Sequence, residues 1–254
     1  MKFRPCIDLH EGVVKQIVGS SLSDTAPSSL KTNFQAANPP SWFAALYKKD
    51  HLTGGHIIQL GPGNTAAARS ALAEWPGGMQ LGGGVNIDNA AEWLDAGAQA
   101  VIVTSYAFYD GVFDEERTRN LAKKIGKDRL VLDLSCRKKD GDYYIVTNRW
   151  QTFTRETLSF EFLDRLKAYC FEFLIHAVDV EGKSGGIERD LVRHLGKWAG
   201  IPITYAGGIR SMEDIEIIRN FGNSHIDFTV GSALDIFGGN GLAYETLARQ
   251  FGKS

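Results

Sequence analysis

The sequence predicts an α/β fold: a single eight-stranded parallel (β/α) TIM barrel built from two duplicated half-barrels, near residues 1–125 and 126–254. Three observations point to it. A strand, glycine turn and helix pattern occurs twice: Gly82-Gly83-Gly84-Val85-Asn86 between Met79-Gln80-Leu81 and an acidic helix from Ile87 to Leu94, and Gly207-Gly208-Ile209-Arg210 between Ile203–Ala206 and a helix from Met212 to Ile218. Gly82 and Gly207 stand 125 positions apart, and so do Asp8 and Asp133, which each end the apolar run that opens their half; duplication explains both. Eight such runs alternate with helical stretches, nearly continuous as in strands buried on both faces, and 254 residues suit one such barrel.

The first strand runs from Phe3 to Leu9, with Pro5 tolerable near a strand start. Gly12 to Val18 reads as a β-hairpin excursion, and Gly19 to Pro40, rich in Ser, Thr, Asn and Pro, as a long loop and candidate lid. Ser41 caps a helix to Tyr47; Gly55 to Leu60 is strand two, and Asn64 to Glu74 its helix. Strand three and its helix are the first glycine unit, and strand four is Ala100 to Ser105. A charged helix from Asp114 to Ile125 precedes strand five, Asp128 to Leu134. Lys138 to Asp142 then signals a turn and Tyr143 to Thr147 a returning strand, with Trp150 near the end of this second excursion. Helix five spans Thr157 to Tyr169, strand six Phe171 to Val178 and helix six Glu188 to Trp198. Strands seven and eight follow, and a helix from Leu242 to Phe251 closes the chain. No G-x-G-x-x-G follows the first strand, which argues against an open dinucleotide-binding sheet.

Composition excludes several classes. With 43% hydrophobic residues the chain can bury a full core, and with 28 basic against 30 acidic residues and no basic block it lacks the footprint of a nucleic-acid or membrane-surface binder. Three cysteines without metal-ligand spacing, Cys6, Cys136 and Cys170, read as free buried thiols. Met1 to Arg4 lead straight into a strand pattern, so a cytoplasmic enzyme is expected, and the lack of a surplus apolar stripe predicts a monomer.

In such barrels the reacting groups sit at the C-terminal ends of strands. Asp8 on strand one and Asp133 on strand five would face each other across the mouth, an arrangement that suits acid/base catalysis; a lone strand-end aspartate more often ties down its loop. The glycine turns read as phosphate sites, since their backbone N–H groups point at a bound anion and glycine lets it approach. Gly82, Gly83 and Gly84 with Thr104 and Ser105 form one candidate; Gly207, Gly208 and Arg210 with Gly231 and Ser232 form the other. The implied ligand is elongated, with a phosphate at each end. The six histidines show no metal spacing; His10 and His176 lie nearest the predicted mouth as weaker candidates for substrate contact. Proton transfer without metal or cofactor, such as an isomerisation, is the expected chemistry.

Cys6-Ile7-Asp8-Leu9-His10-Glu11-Gly12, Gln80-Leu81-Gly82-Gly83-Gly84, Leu132-Asp133-Leu134 and Tyr205-Ala206-Gly207-Gly208-Ile209-Arg210 together resemble the phosphoribosylformimino-5-aminoimidazole carboxamide ribotide isomerases of histidine biosynthesis. The long first loop and Gly55-His56-Ile57-Ile58-Gln59-Leu60-Gly61-Pro62-Gly63 are similar to the eukaryotic branch. The resemblance implies an Amadori rearrangement of a bisphosphorylated ribosyl substrate, with Asp133 as general acid and Asp8 as general base. It places Trp150 where a loop tryptophan stacks on the substrate's imidazole; plugging the loop is the equal alternative. The chain departs from the family at Asn86, where bacterial members often carry arginine, and at Val178, where a threonine is common, so that Asp179 or Ser184 would have to take over that hydroxyl's role, or the step does without it. Two other readings remain: the cyclase subunit of imidazole glycerol phosphate synthase, which would need ammonia, and a silent barrel that binds a phosphorylated metabolite without turning it over.

Overall fold

Alternating aliphatic and helical runs fold here into strands and helices that succeed one another along a curled sheet. The computed structural model describes residues 1–17, 32–148, 150–183 and 185–252. Strand β1 (Cys6–His10) turns through Glu11 and Gly12, both at positive φ, into β2 (Val13–Ile17), and β3 (Thr32–Gln35) adds beside it. There follow α1 (Pro40–Lys49), β4 (Gly55–Gln59), α2 (Thr65–Glu74), β5 (Met79–Gly82), α3 (Ala90–Asp95) and β6 (Val101–Val103). A short hairpin of β7 (Phe108–Tyr109) and β8 (Val112–Phe113) leads to α4 (Glu115–Ile125) and β9 (Leu130–Asp133). The second excursion is β10 (Cys136–Lys139), β11 (Asp142–Thr147) and β12 (Thr152–Thr157), a separate antiparallel sheet. The chain ends with α5 (Phe160–Leu166), β13 (Glu172–His176), α6 (Arg189–Leu195), β14 (Ile203–Ala206), α7 (Met212–Phe221), β15 (Ile226–Phe228) and α8 (Tyr244–Phe251).

The main sheet has the order β15-β14-β13-β9-β6-β5-β4-β1-β2-β3, parallel from β15 to β1. Strand side chains alternate between faces. One face carries Ile7, Ile57, Leu81, Leu132, Phe173, Tyr205 and Phe228 into the large core shared with the helices. The other gathers Ile102, Val131, Leu174 and Ala206 into a second, inner cluster. Beneath that cluster lies a polar floor, in which the carboxylate of Glu172, 1% exposed, accepts from Gln80 at 2.8 Å and Thr204 at 2.7 Å. Each buried polar group there has its partner, as a low-dielectric interior requires.

The residues ahead of β1 reach β15. Phe3 bridges Phe228 in parallel, Arg4 N donates to Phe228 O at 2.8 Å, and Phe228 N donates to Lys2 O at 3.0 Å. Asp227 reinforces the join, accepting from Arg4 Nε at 2.8 Å and Lys2 N at 2.6 Å.

Several boundaries differ from the sequence reading for local reasons. Helix α1 starts at Pro40 with Pro39 as its N-cap, because a proline's fixed φ suits the first turn, so Ser41 is not the cap. Helix α3 starts later than Ile87: the Asn86 carboxamide accepts from Asp88 N at 2.8 Å and Asn89 N at 3.3 Å, holding a turn where a helix was expected. Thr157 ends β12, and α5 begins only after Ser159, whose hydroxyl accepts from Phe162 N at 3.2 Å. Within the expected loop, Thr32–Gln35 is a strand; its stretch from Gly19 to Lys31, and with it most of the candidate lid, lies outside the described residues. The glycine turns also match one residue differently from the 125-residue offset. Positive φ falls on Gly83 and Gly84 in one turn and on Gly207 and Gly208 in the other, which pairs Gly83 with Gly207.

Replacing Asp227 with alanine removes the nearer carboxylate of Arg4, whose side chain is 13% exposed, and leaves it Glu172 at 3.9 Å. Urea denaturation is expected to show a loss of about 3 kcal/mol, the scale for breaking one partner of a buried pair; a loss under about 0.5 kcal/mol would show that the join does not depend on it.

Candidate active site

Period-two alternation decides which side chains meet at the mouth. Asp133 ends β9 and pairs in register with Leu174, so His176, two residues further along β13, shares the inward face just above it. Asp8 projects from β1 into the same space, and a cleft of about 560 Å³ is lined by Asp8, Asp133, Trp150 and His176. Strands β1 and β9 have β4, β5 and β6 between them along the sheet, so the two aspartates approach the cleft from well-separated walls.

Gln16, on the inner face of β2 and 4% exposed, donates to Asp8 Oδ2 at 2.9 Å. Burial, then the charge of Glu181, disfavours the Asp8 carboxylate and raises its pKa to about 6, against the opposing pull of His176 and Gln16. Asp133 is held differently: Thr104 donates to Oδ2 at 3.1 Å, and Ser135, fully buried, donates to Oδ1 at 2.8 Å. The Ser135 hydroxyl in turn accepts from Trp150 Nε1 at 2.9 Å. Trp150 sits at φ +66°, a left-handed conformation unusual for so bulky a residue, with its ring 5.8 Å from that of His176. The second excursion thus presents its indole to the cleft and fastens it, through Ser135, to Asp133 on β9.

His176 Nδ1 stands 3.7 Å from Asp133 Oδ1, an ion-pair distance too long for a hydrogen bond, and has no hydrogen-bond partner among the described residues. Burial opposes charge on this ring, but Asp133, Glu181 and Asp8 outweigh it and push its pKa up to about 9. His56, deeper on β4, goes the other way: burial, then repulsion from His176, lowers its pKa to about 3.

The glycine turns flank these groups. Gly83 and Gly84, with Thr104 and Ser105, line the main cleft on one side. Gly207, Gly208, Gly231 and Ser232 line a small adjoining pocket of about 40 Å³, which shares Asp8, His176 and Glu181 with the cleft. Glycine is required at both turns: a Cβ on Gly83 would collide with the Gln59 backbone, and one on Gly207 would lie 2.8 Å from Ala177 O, each at positive φ.

Gly82 and Arg210 do not line either space. Gly82 closes β5 against Ile58 and Ile102, and the Arg210 side chain is half exposed, 3.9 Å from Asp214. His10 lies beside Lys15 and Glu11, outside the cavity lining. Asp179 does not take over the missing hydroxyl at the buried Val178; its carboxylate accepts from Arg137 Nε at 2.8 Å and Lys138 N at 3.0 Å. Ser184 lies outside the described residues. The polar group that enters the site from this loop is Glu181, which sequence reasoning missed along with Gln16 and Ser135. The signals were slight: an acid soon after a strand end, and a glutamine in register within an apolar hairpin. Asn86 is engaged in its own turn.

Among the described residues no cluster of three or more His, Cys, Asp or Glu could hold a metal ion, and no helix is long and apolar enough to cross a membrane. The three cysteines are buried and free.

Comparison with known proteins gives a family match and full-length relatives. Residues 2–238 match the family model described as histidine biosynthesis protein. An isomerase of Medicago truncatula named as chloroplastic is 53% identical over 250 residues, covering 96% of this chain and 80% of that protein. The substrate in its name is 1-(5-phosphoribosyl)-5-((5-phosphoribosylamino)methylideneamino)imidazole-4-carboxamide. Isomerases of the same name from Neurospora crassa and Saccharomyces cerevisiae are 49% and 46% identical, covering 96% and 98% of this chain and 96% and 97% of their own length.

Burial of Asp8 carries a pH-dependent cost. Its folded pKa, about 6, exceeds the ordinary 3.8, so the folded chain binds its proton more tightly and loses stability as pH rises from about 4 to 6. Asp8→Asn should therefore be more stable than the parent by about 2–3 kcal/mol at pH 8, with the gain vanishing below about pH 4. Chemical denaturation at both pH values measures this; an equal gain at both would point to another cause.

Proposed function

The chain belongs to the histidine biosynthesis protein family, and from that premise we propose that it is an aldose–ketose isomerase, which converts a bisphosphorylated aminoaldose to its aminoketose by an Amadori rearrangement. The observation that carries this reading is the pair Asp8 and Asp133 lining one cleft between two positive-φ glycine turns. We infer the substrate from the names of the relatives, which specify a molecule with two phosphoribosyl groups. Its ends match two anion sites with the reacting carbons between them. Gly83, Gly84 and Ser105 would hold one phosphate, and Gly207, Gly208, Gly231 and Ser232 the other. Trp150 would cover the imidazole, its indole already turned into the cleft.

In the same reading the sheet is a closed eight-stranded barrel forming one domain, supported by the Phe3 to Phe228 bridge and the Asp227 contacts across the join. Closure puts β1 and β9 diametrically opposite, with three strands between them either way round.

The proton balance needs only the two aspartates. Asp133 gives a proton to the ribose ring oxygen as the C1–O bond breaks, and the nitrogen lone pair forms the C1=N bond. Asp8 removes the C2 proton, and the C–H electrons form the C1=C2 bond of the enolamine while the iminium is discharged. Asp8 then returns a proton to C1, and Asp133 takes the proton of the C2 hydroxyl, leaving the ketone and both groups as they began. An Asp8 pKa of about 6 suits the base: largely ionised at neutral pH, yet more basic than an ordinary carboxylate.

Purified protein should turn over the aminoaldose without added metal or ammonia. Asp8→Asn and Asp133→Asn should each lower kcat by about 10³ or more while substrate binding changes only about threefold. A parent that binds the substrate without converting it would overturn the reading, and ammonia-dependent turnover would point to the cyclase.

A further inference from the structure

Two buried side-chain atoms among the described residues have no hydrogen-bond partner, His176 Nδ1 and Thr229 Oγ1. Both residues line the small pocket, and His176 lines the main cleft as well. An unpaired polar group in an otherwise satisfied interior costs free energy, and a catalytic role is one reason a protein retains it. His176 is the more informative of the two. Three side-chain groups are common to both spaces, Asp8, His176 and Glu181, so these surround the point at which the phosphate pocket opens into the cleft. A substrate anchored at both ends would place its reacting carbons close to that junction.

Resting on the isomerase reading, we propose that His176 is a third catalytic residue, whose ring N–H donates a hydrogen bond to the substrate oxygen on the carbon that Asp8 deprotonates. That oxygen becomes the ketone. A cationic donor fixed beside it stabilises the developing carbonyl, and a donor already in place costs no reorganisation during the reaction. No proton leaves the imidazole: the hydroxyl proton still goes to Asp133, and the C2 proton still returns to C1 through Asp8. The donor is set by its surroundings. Asp133 on β9 stands 3.7 Å away, Asp8 on β1 and Glu181 in the loop after β13 add negative charge, and His56 on β4 stays neutral beneath it. The Trp150 ring lies 5.8 Å from the His176 ring. Glu181 thereby gains a role: it helps to keep His176 cationic, and it does so without any ion pair of its own among the described residues.

The test is steady-state kinetics of the full-length protein and of His176→Gln and Glu181→Gln across pH 5 to 10, with thermal unfolding as a check on folding. The parent's kcat/KM should fall above an apparent pKa of about 9, where His176 loses its proton. His176→Gln should lower kcat about 100-fold with KM within about threefold, and the alkaline limb should no longer lie where it does in the parent, since Asp133 alone would then set it. Glu181→Gln should keep that limb but move it to lower pH. A parent that does not isomerise the aminoaldose sinks the isomerase reading itself. A parent that does, combined with a His176→Gln variant within about threefold of its kcat or with the limb intact, sinks this inference alone. If His176→Gln fails to fold, the Glu181→Gln profile decides: an unmoved alkaline limb contradicts the proposal.

Discussion

Removing a carboxylate from water is unfavourable unless something in the protein replaces the lost hydration, and most of this site is arranged around two such removals. Asp8 is compensated only in part, by one amide from Gln16 and by the charge of His176, while Glu181 works against it. The residue is left more basic than a solvated aspartate. Asp133 receives two hydroxyl donors and the histidine as neighbour. Two chemically identical side chains, 125 positions apart, are thus given different surroundings.

The supports of these two groups come from the parts of the chain least like a plain barrel. Gln16 belongs to the antiparallel strand appended after β1, and Trp150 to the second excursion. The run Trp150 to Ser135 to Asp133 to Thr104 ties that excursion to the ends of β9 and β6, so a change in the loop would be felt at the carboxylate. Elsewhere the sheet supplies rigidity. The inner cluster of Ile102, Val131, Leu174 and Ala206 and the Glu172 floor lie on the same face of the sheet as the two aspartates.

Strand and helix order was legible because the apolar runs are long and the glycine turns distinctive. Asp8 and Asp133 could be placed at strand ends for the same reason, as could the two turns. The one-residue error in the offset has a plain cause: Gly82 is the last residue of β5, and only Gly83 and Gly84 form the turn, a distinction that three consecutive glycines conceal. Arg210 looked like a phosphate ligand because it follows a glycine pair, yet its backbone N–H goes to Asp214 and its side chain lies out of the cleft. Glu181 and Ser135 could not be chosen from sequence because their value depends on which loops fold over the mouth, a matter of tertiary packing. Thr104 shows the same limit, since its hydroxyl, expected to face a phosphate, donates to Asp133.

The pH dependence of kcat/KM on the acid side tests most directly whether the buried Asp8 is the base. If it must be ionised in the free enzyme, kcat/KM should fall about tenfold per pH unit below an apparent pKa of about 6. Activity that stays constant down to about pH 4.5 would mean that Asp8 either titrates as an ordinary aspartate or does not remove the proton.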